Sequence, residues 1–140
     1  MNSNGGSAGP LWGTVFSGFA DAAPEDTKEV SLEELHAMLA QAKEDFEDIS
    51  KAKIGDKTMV DALSPAVDAL AANADKGLLE MLKAAEEGAK QGVENTKKYV
   101  AKFGRAKSLL ERAIGHQDAG ATSVNLIFQG MREFVEGKLA

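Results

Sequence analysis

Apolar residues recur at spacings of three and four along most of the chain, which is the period of an amphipathic α-helix. β-branched and aromatic residues are sparse, while Ala, Glu, Lys and Leu dominate the middle of the chain. These patterns predict an all-α protein with one domain over residues 1–140. The predicted helices cover these stretches, with a shorter helical run inside 104–114: 10–20, 32–49, 60–70, 78–102 and 121–139.

Local signals define several helix ends. Ser31 followed by Glu34 forms a capping box, and Pro10 suits a first helical turn, where its missing N–H costs nothing. Pro65 lies inside the third stretch and predicts either a kink or a helix start near Ser64. Gly88 and Gly92 weaken the long fourth helix by roughly 1 kcal/mol each relative to Ala. Such small residues could allow another helix, or a ligand, to approach closely.

Composition excludes several classes of protein and of binding site. The absence of cysteine rules out disulfides and thiolate metal sites and fits a cytoplasmic protein. A net charge of -6 with scattered cations gives no basic face for nucleic acid. No apolar run approaches the ~20 residues needed to span a membrane, and the N-terminus lacks a signal peptide pattern. The acidic run 44–48 and Lys57 are both expected to be solvated.

Two glycine-rich loops are candidates for anion binding. The loop 5–9 opens the first helix, which is the layout that cradles phosphates through backbone N–H groups. The alternative is a frayed terminus with a helix behind it. The second loop, 115–120, precedes a run that looks like a buried helix. It predicts either an anion site or a helix–loop–helix corner in which Asp118 caps the last helix, and the residues alone favour the corner.

Together, four segments resemble the nucleotide-binding domain of dihydroxyacetone kinases: 5–13, 55–63, 104–106 and 114–123. They occur in the family's order and span essentially the whole chain. The resemblance implies a closed barrel of antiparallel amphipathic helices, with the nucleotide held in loops at one end. It also implies transfer of the γ-phosphoryl group of ATP to dihydroxyacetone or a related small sugar.

The resemblance further implies partners. The sugar would be held by a separate dihydroxyacetone-binding K subunit or domain. In the phosphotransferase-linked form, ADP stays bound as a cofactor and is rephosphorylated by a phosphohistidine protein. No nucleic acid or membrane partner is expected.

The residues that contact the nucleotide in this family can be assigned to the matching motif positions of this sequence. The loop 6–8 would wrap the phosphates and Met59 would pack on the adenine, while no residue is assigned a catalytic role. The expected nucleotide-binding residues are Gly6, Ser7, Ala8, Met59, Arg105, Asp118, Ala119 and Gly120.

The sequence also departs from the family. Magnesium is expected there, held by aspartates in a Gly-Asp-Gly-Asp setting upstream of the Gly-Gly-Ser segment, and this sequence contains no such cluster. We therefore expect a partial domain that is inactive alone and exposes apolar surface where further helices would pack. Smaller departures, expected to affect affinity, are Ala8, Ser50, Ser108, Leu110 and Ala119.

Two alternatives remain open. The chain could be a non-catalytic nucleotide-binding or regulatory module that docks a K subunit or another partner. It could also be a helical structural domain whose loops no longer bind a nucleotide.

Overall fold

The computed structural model describes residues 8–140, all of which lie in helices, turns or loops, with no strand among them. The predicted all-helical class is therefore confirmed. The chain divides after Lys51 into two compact units. Two 3₁₀ segments, at Ala74–Lys76 and Arg105–Ala113, accompany five α-helices, namely α1 (Ala8–Asp21), α2 (Leu32–Ser50), α3 (Val60–Ala72), α4 (Leu78–Thr96) and α5 (Ala119–Leu139).

In the first unit, α1 packs against α2. The predicted capping box starts α2: Ser31 Oγ accepts from Glu34 N at 3.2 Å, and Glu34 Oε2 accepts from Ser31 N at 2.7 Å. Gly18 permits the close approach of α1, because a Cβ there would lie 3.0 Å from the Ala42 Cα. Ile49, which the pattern placed on the apolar face, is exposed.

The second unit is built from α3, α4 and α5, which pack on one another. Its core consists mainly of these buried side chains: Leu63, Val67, Leu70, Met81, Leu82, Val93, Val124 and Phe128. The expectation that α4 continues to residue 102 was wrong. The Thr96 hydroxyl donates to the Val93 carbonyl at 2.6 Å, and the next amides bond to carbonyls three residues back, so the helix tightens and ends.

Pro65 lies within α3, which begins at Val60, so of the two alternatives the helix start near Ser64 was wrong. Proline cannot donate to the Asp61 carbonyl four residues earlier. That carbonyl instead lies against Gly92 of α4, where an added Cβ would sit 1.9 Å from the oxygen. Gly88 makes a second close approach, with its Cβ position 2.6 Å from the Pro65 carbonyl oxygen. Both glycines thus allow α3 to approach α4 closely, as their small size suggested.

The last helix is buried on one side only. Ala121, Val124 and Phe128 face the core, whereas Leu126, Ile127 and Phe134 are exposed. The prediction of a buried helix was therefore wrong for this outer side. In the part of the chain that the structure describes, no helix is long and apolar enough to cross a membrane.

An ion-pair network fastens α5 to α4. The Arg132 guanidinium donates to Glu86 of α4 at 2.7 and 3.2 Å and to Glu136, one turn along α5, at 2.8 Å. These carboxylates raise the pKa of Arg132 above its ordinary value. The planar guanidinium suits this forked contact in a way that a lysine could not.

Asp56 holds the segment after α4 to the turn before α3. Its carboxylate accepts from Lys53 N at 2.8 Å and from Lys102 Nζ, and its carbonyl accepts from Lys102 N at 3.2 Å. The hydrogen bond from Lys102, followed by that from the Lys53 amide, lowers the pKa of Asp56, although burial opposes the shift. Asp56 is therefore an ionised anchor at neutral pH.

Substituting Gly92 should reveal the close contact between α3 and α4. We expect Gly92→Ala to lower the free energy of unfolding by about 1–3 kcal/mol, because the methyl group must displace a backbone carbonyl. Urea titration followed by circular dichroism measures this change. Gly130→Ala is the matched control, since a Cβ at Gly130 meets nothing within 4 Å. It should raise stability by up to ~1 kcal/mol. An equally stabilising Gly92→Ala would contradict the contact.

The contribution of Asp56 should disappear in acid. The unfolded carboxyl has its ordinary pKa of 3.8 and the folded one a lower pKa, so the unfolded chain binds more protons between the two values. The stabilisation is then complete above the unfolded pKa and is lost as the pH falls through the folded pKa. Urea unfolding should show that the difference in free energy of unfolding between wild type and Asp56→Asn shrinks in this window. Asp75→Asn, at an exposed site, is the surface-charge control. A difference that stays constant through the same window would contradict the assignment.

Candidate functional site

The turn before α3 is folded around the side chain of Asp61. Its carboxylate accepts from Gly55 N at 2.6 Å and from Thr58 N at 2.7 Å. Gly55 and Lys57 both take positive φ values, of 100° and 60°. The left-handed backbone is costly for a lysine, and the two bonds to Asp61 hold the turn in this shape.

Lys57 is buried, with 3% of its surface exposed, so the expectation of a solvated lysine was wrong. Its Nζ donates to the Thr96 carbonyl at 2.6 Å and to the His116 carbonyl. Burial lowers the pKa of Lys57, while the nearby carboxylates of Asp118 and Asp61 oppose this shift. The acceptors are 39 and 59 residues away in sequence, so no local pattern indicated them.

The loop before α5 ends in the predicted capping aspartate. Asp118 Oδ2 accepts from Ala121 N at 2.8 Å. The Asp118 amide donates to Thr96 Oγ1 at 2.9 Å, which links this corner to the end of α4. Burial raises the pKa of Asp118, and hydrogen bonds from the Ala121 and Gly120 amides oppose the rise. The helix–loop–helix corner favoured from the residues is confirmed.

Met59 and Gly120 meet where α3 and α5 begin. A Cβ on Gly120 would lie 3.2 Å from the Met59 Cβ and 3.1 Å from Asp118 Oδ2, so only glycine fits without displacement. Ala119 lies in the same first turn and is exposed. The structure thus brings together Met59, Asp118, Ala119 and Gly120. Met59 itself keeps only 6% of its surface exposed, which leaves a small edge for contact with a ligand.

The remaining expected residues are Arg105, Ala8, Gly6 and Ser7. Arg105 opens the 3₁₀ segment and is exposed. Its guanidinium makes no hydrogen bond or ion pair with another described residue. Ala8 is the exposed first residue of α1, in the first unit. Gly6 and Ser7 lie outside the described residues, so their role stays a prediction.

Acidic side chains are the candidate ligands for a magnesium ion. From Ala8 onward, no group of three or more His, Asp or Glu side chains converges in a way that could hold a metal ion. The run 44–48 lies along α2 and diverges around its axis. The described residues therefore offer no ready-made cluster of three such ligands for a magnesium ion.

Comparison with known proteins identifies the family. The family model described as the DAK2 domain matches residues 1–133. The ADP-binding subunit DhaL of the PEP-dependent dihydroxyacetone kinase of Escherichia coli (strain K12) is 39% identical over 131 residues. A Listeria innocua subunit of the same description, from kinase 2, is 37% identical over 138 residues. The L-erythrulose kinase of Pectobacterium atrosepticum is 33% identical over 129 residues.

Coverage differs between these relatives. The alignments take in 92%, 94% and 91% of this chain, but 62%, 62% and 22% of the respective relatives. The chain thus spans about three fifths of the two ADP-binding subunits. Because the DAK2 family model extends over nearly all of the sequence, the chain belongs to the DAK2 domain family.

Proposed function

We propose that this chain binds ADP or ATP and acts as the nucleotide-holding module of a kinase for dihydroxyacetone or a related small sugar. The observation that carries the proposal is the meeting of Met59, Asp118 and Gly120 at the start of α5. All three are residues that motif position assigns to the nucleotide. The similarity to two subunits described as ADP-binding supports the same assignment.

The chemistry of the α5 start suggests which part of the nucleotide it would hold. A helix N-terminus can bind phosphate through its unpaired amides. Here the Asp118 carboxylate already accepts from the Ala121 and Gly120 amides, and its negative charge would repel an anion. We therefore assign the base or ribose to the Met59–Gly120 contact. Within the second unit, the phosphates are assigned to the exposed guanidinium of Arg105. That the loop 6–8 also wraps them stays a prediction from motif position.

Partners and location belong to the same proposal. The Escherichia coli and Listeria innocua relatives are described as subunits of PEP-dependent kinases. By analogy, we propose a separate dihydroxyacetone-binding K subunit and a phosphohistidine protein as partners of this chain, in the cytoplasm. Magnesium is given no role in this proposal, since no cluster of three or more ligating side chains lies among the described residues.

A second candidate function is a binding or regulatory module that does not transfer phosphoryl groups. Lys57 is a cation of the loop before α3, and phosphoryl transfer needs cations to neutralise phosphate charge. Its ammonium is instead held by the Thr96 and His116 carbonyls. This arrangement favours holding a nucleotide over transferring its phosphate.

Calorimetric titration of ADP tests the proposal. We expect binding whose affinity changes little when magnesium is added, and no phosphoryl transfer by this chain when a purified K subunit and ATP are supplied. ADP binding that is detected only when magnesium is present would show that a metal site exists, and it would contradict the expectation of metal-independent binding. If ADP does not bind under either condition, the proposed function is wrong.

Gly120→Ala should weaken ADP binding while the protein stays folded. The added methyl group must push against Met59 and Asp118, which shifts the surface proposed to hold the base or ribose. We expect the dissociation constant to rise by about tenfold, corresponding to ~1.4 kcal/mol. Gly130→Ala places the same change on the same helix in open space and should leave binding unaltered. Equal affinities for the two variants would remove Gly120 from the site.

A further inference from the structure

We propose that Lys57 is a positioning residue for the nucleotide site. Its ammonium fastens the turn before α3 to the end of α4 and to the loop 114–118, and so fixes Met59 against Gly120. This inference rests on the proposed function for its consequence on ADP binding. The fastening itself concerns the protein without nucleotide and can be tested separately.

The turn directs the lysine inward. The Asp61 carboxylate binds the amides of Gly55 and Thr58, on either side of Lys57, and so holds its backbone in the left-handed region. The side chain then enters the protein and keeps 3% of its surface exposed. Burying an ammonium group is costly unless hydrogen bonds replace its hydration. The interactions that Lys57 makes inside the unit must therefore offset this cost.

Two backbone carbonyls accept from the ammonium. The Thr96 carbonyl, 2.6 Å from Nζ, belongs to the last residue of α4, where the helix dipole favours a positive charge. The His116 carbonyl belongs to the turn that leads into α5. The carboxylates of Asp118 and Asp61 lie close enough to add electrostatic attraction. One buried cation thus joins the three segments.

The loop 114–118 has two other ties to the end of α4. Gly115 N donates to the Lys97 carbonyl at 2.7 Å, and the Asp118 amide donates to Thr96 Oγ1 at 2.9 Å. Neither of these bonds involves the turn that carries Met59. Lys57 lies two residues before Met59 and binds the same loop directly. Removing its ammonium should therefore loosen the Met59 side of the site against the Gly120 side.

Lys57→Met is the principal variant, because it keeps a long apolar side chain but removes the donors and the charge. Lys53→Met makes the same change at an exposed lysine in the same segment. Val67→Ala, in the core of α3, lowers stability without touching the fastening. Lys57→Gln keeps a shorter polar side chain and replaces Lys57→Met if the latter does not fold.

The first readout is amide hydrogen exchange by NMR without nucleotide, under conditions where every variant is folded. In Lys57→Met we expect exchange at Gly115 and Asp118 to accelerate by about tenfold or more, beyond any acceleration in Val67→Ala. Lys53→Met should match wild type. Unchanged exchange at both amides, or acceleration equal to that in Val67→Ala, would overturn the positioning role.

The second readout is the dissociation constant for ADP. It should rise by about tenfold in Lys57→Met and stay near the wild-type value in Lys53→Met and Val67→Ala. Wild-type affinity in a folded Lys57→Met would overturn the link between the fastening and the site. If the wild-type chain does not bind ADP, the proposed function fails, and hydrogen exchange still decides whether Lys57 positions the loop.

Discussion

Asp61 couples the packing of the second unit to its candidate site. Its backbone carbonyl, which cannot accept the usual helical hydrogen bond from residue 65 because that residue is proline, lies against Gly92 in α4. Its side-chain carboxylate holds the turn that carries Lys57. The close approach of two helices and the shape of a loop therefore depend on one residue. A shift of α3 along α4 would move the turn with it, since the two bonds to Asp61 leave the turn little freedom.

Buried polar groups connect this turn to the start of α5. Two of the bonds that join these segments each pair a side-chain atom with a backbone atom: Lys57 Nζ with the Thr96 carbonyl, and Thr96 Oγ1 with the Asp118 amide. Such networks are stabilising only when each member is satisfied, because an unpaired buried group costs more than a bond contributes. Met59 lies against Gly120 beside these bonds. The bonds therefore join the segments that bring the two residues together.

Local signals in the sequence predicted much of the helical structure but not its limits. The capping box at Ser31 and the cap at Asp118 were correctly inferred, since each depends on residues three apart. The end of α4 was missed, and the pattern left open whether α3 passes through Pro65 or starts near Ser64. Hydrogen bonds to carbonyls three residues back end α4, and the Asp61 carbonyl, which cannot accept from Pro65, lies against Gly92. The exposed outer side of α5 was missed because periodicity shows that residues are apolar, not what covers them.

By itself, the sequence determined the helical class, the N-terminal caps of α2 and α5, and the motifs that indicate the DAK2 family. Each of these depends on neighbours within one or two helical turns, or on short segments in a fixed order. Only the tertiary structure decided that Lys57 is buried and which carbonyls it binds. Those acceptors are 39 and 59 residues away in sequence, so only the packing of the unit brings them within reach of Nζ. Glycine at residue 92 permits the close approach of α3 to α4, but only the folded packing shows which carbonyl it meets.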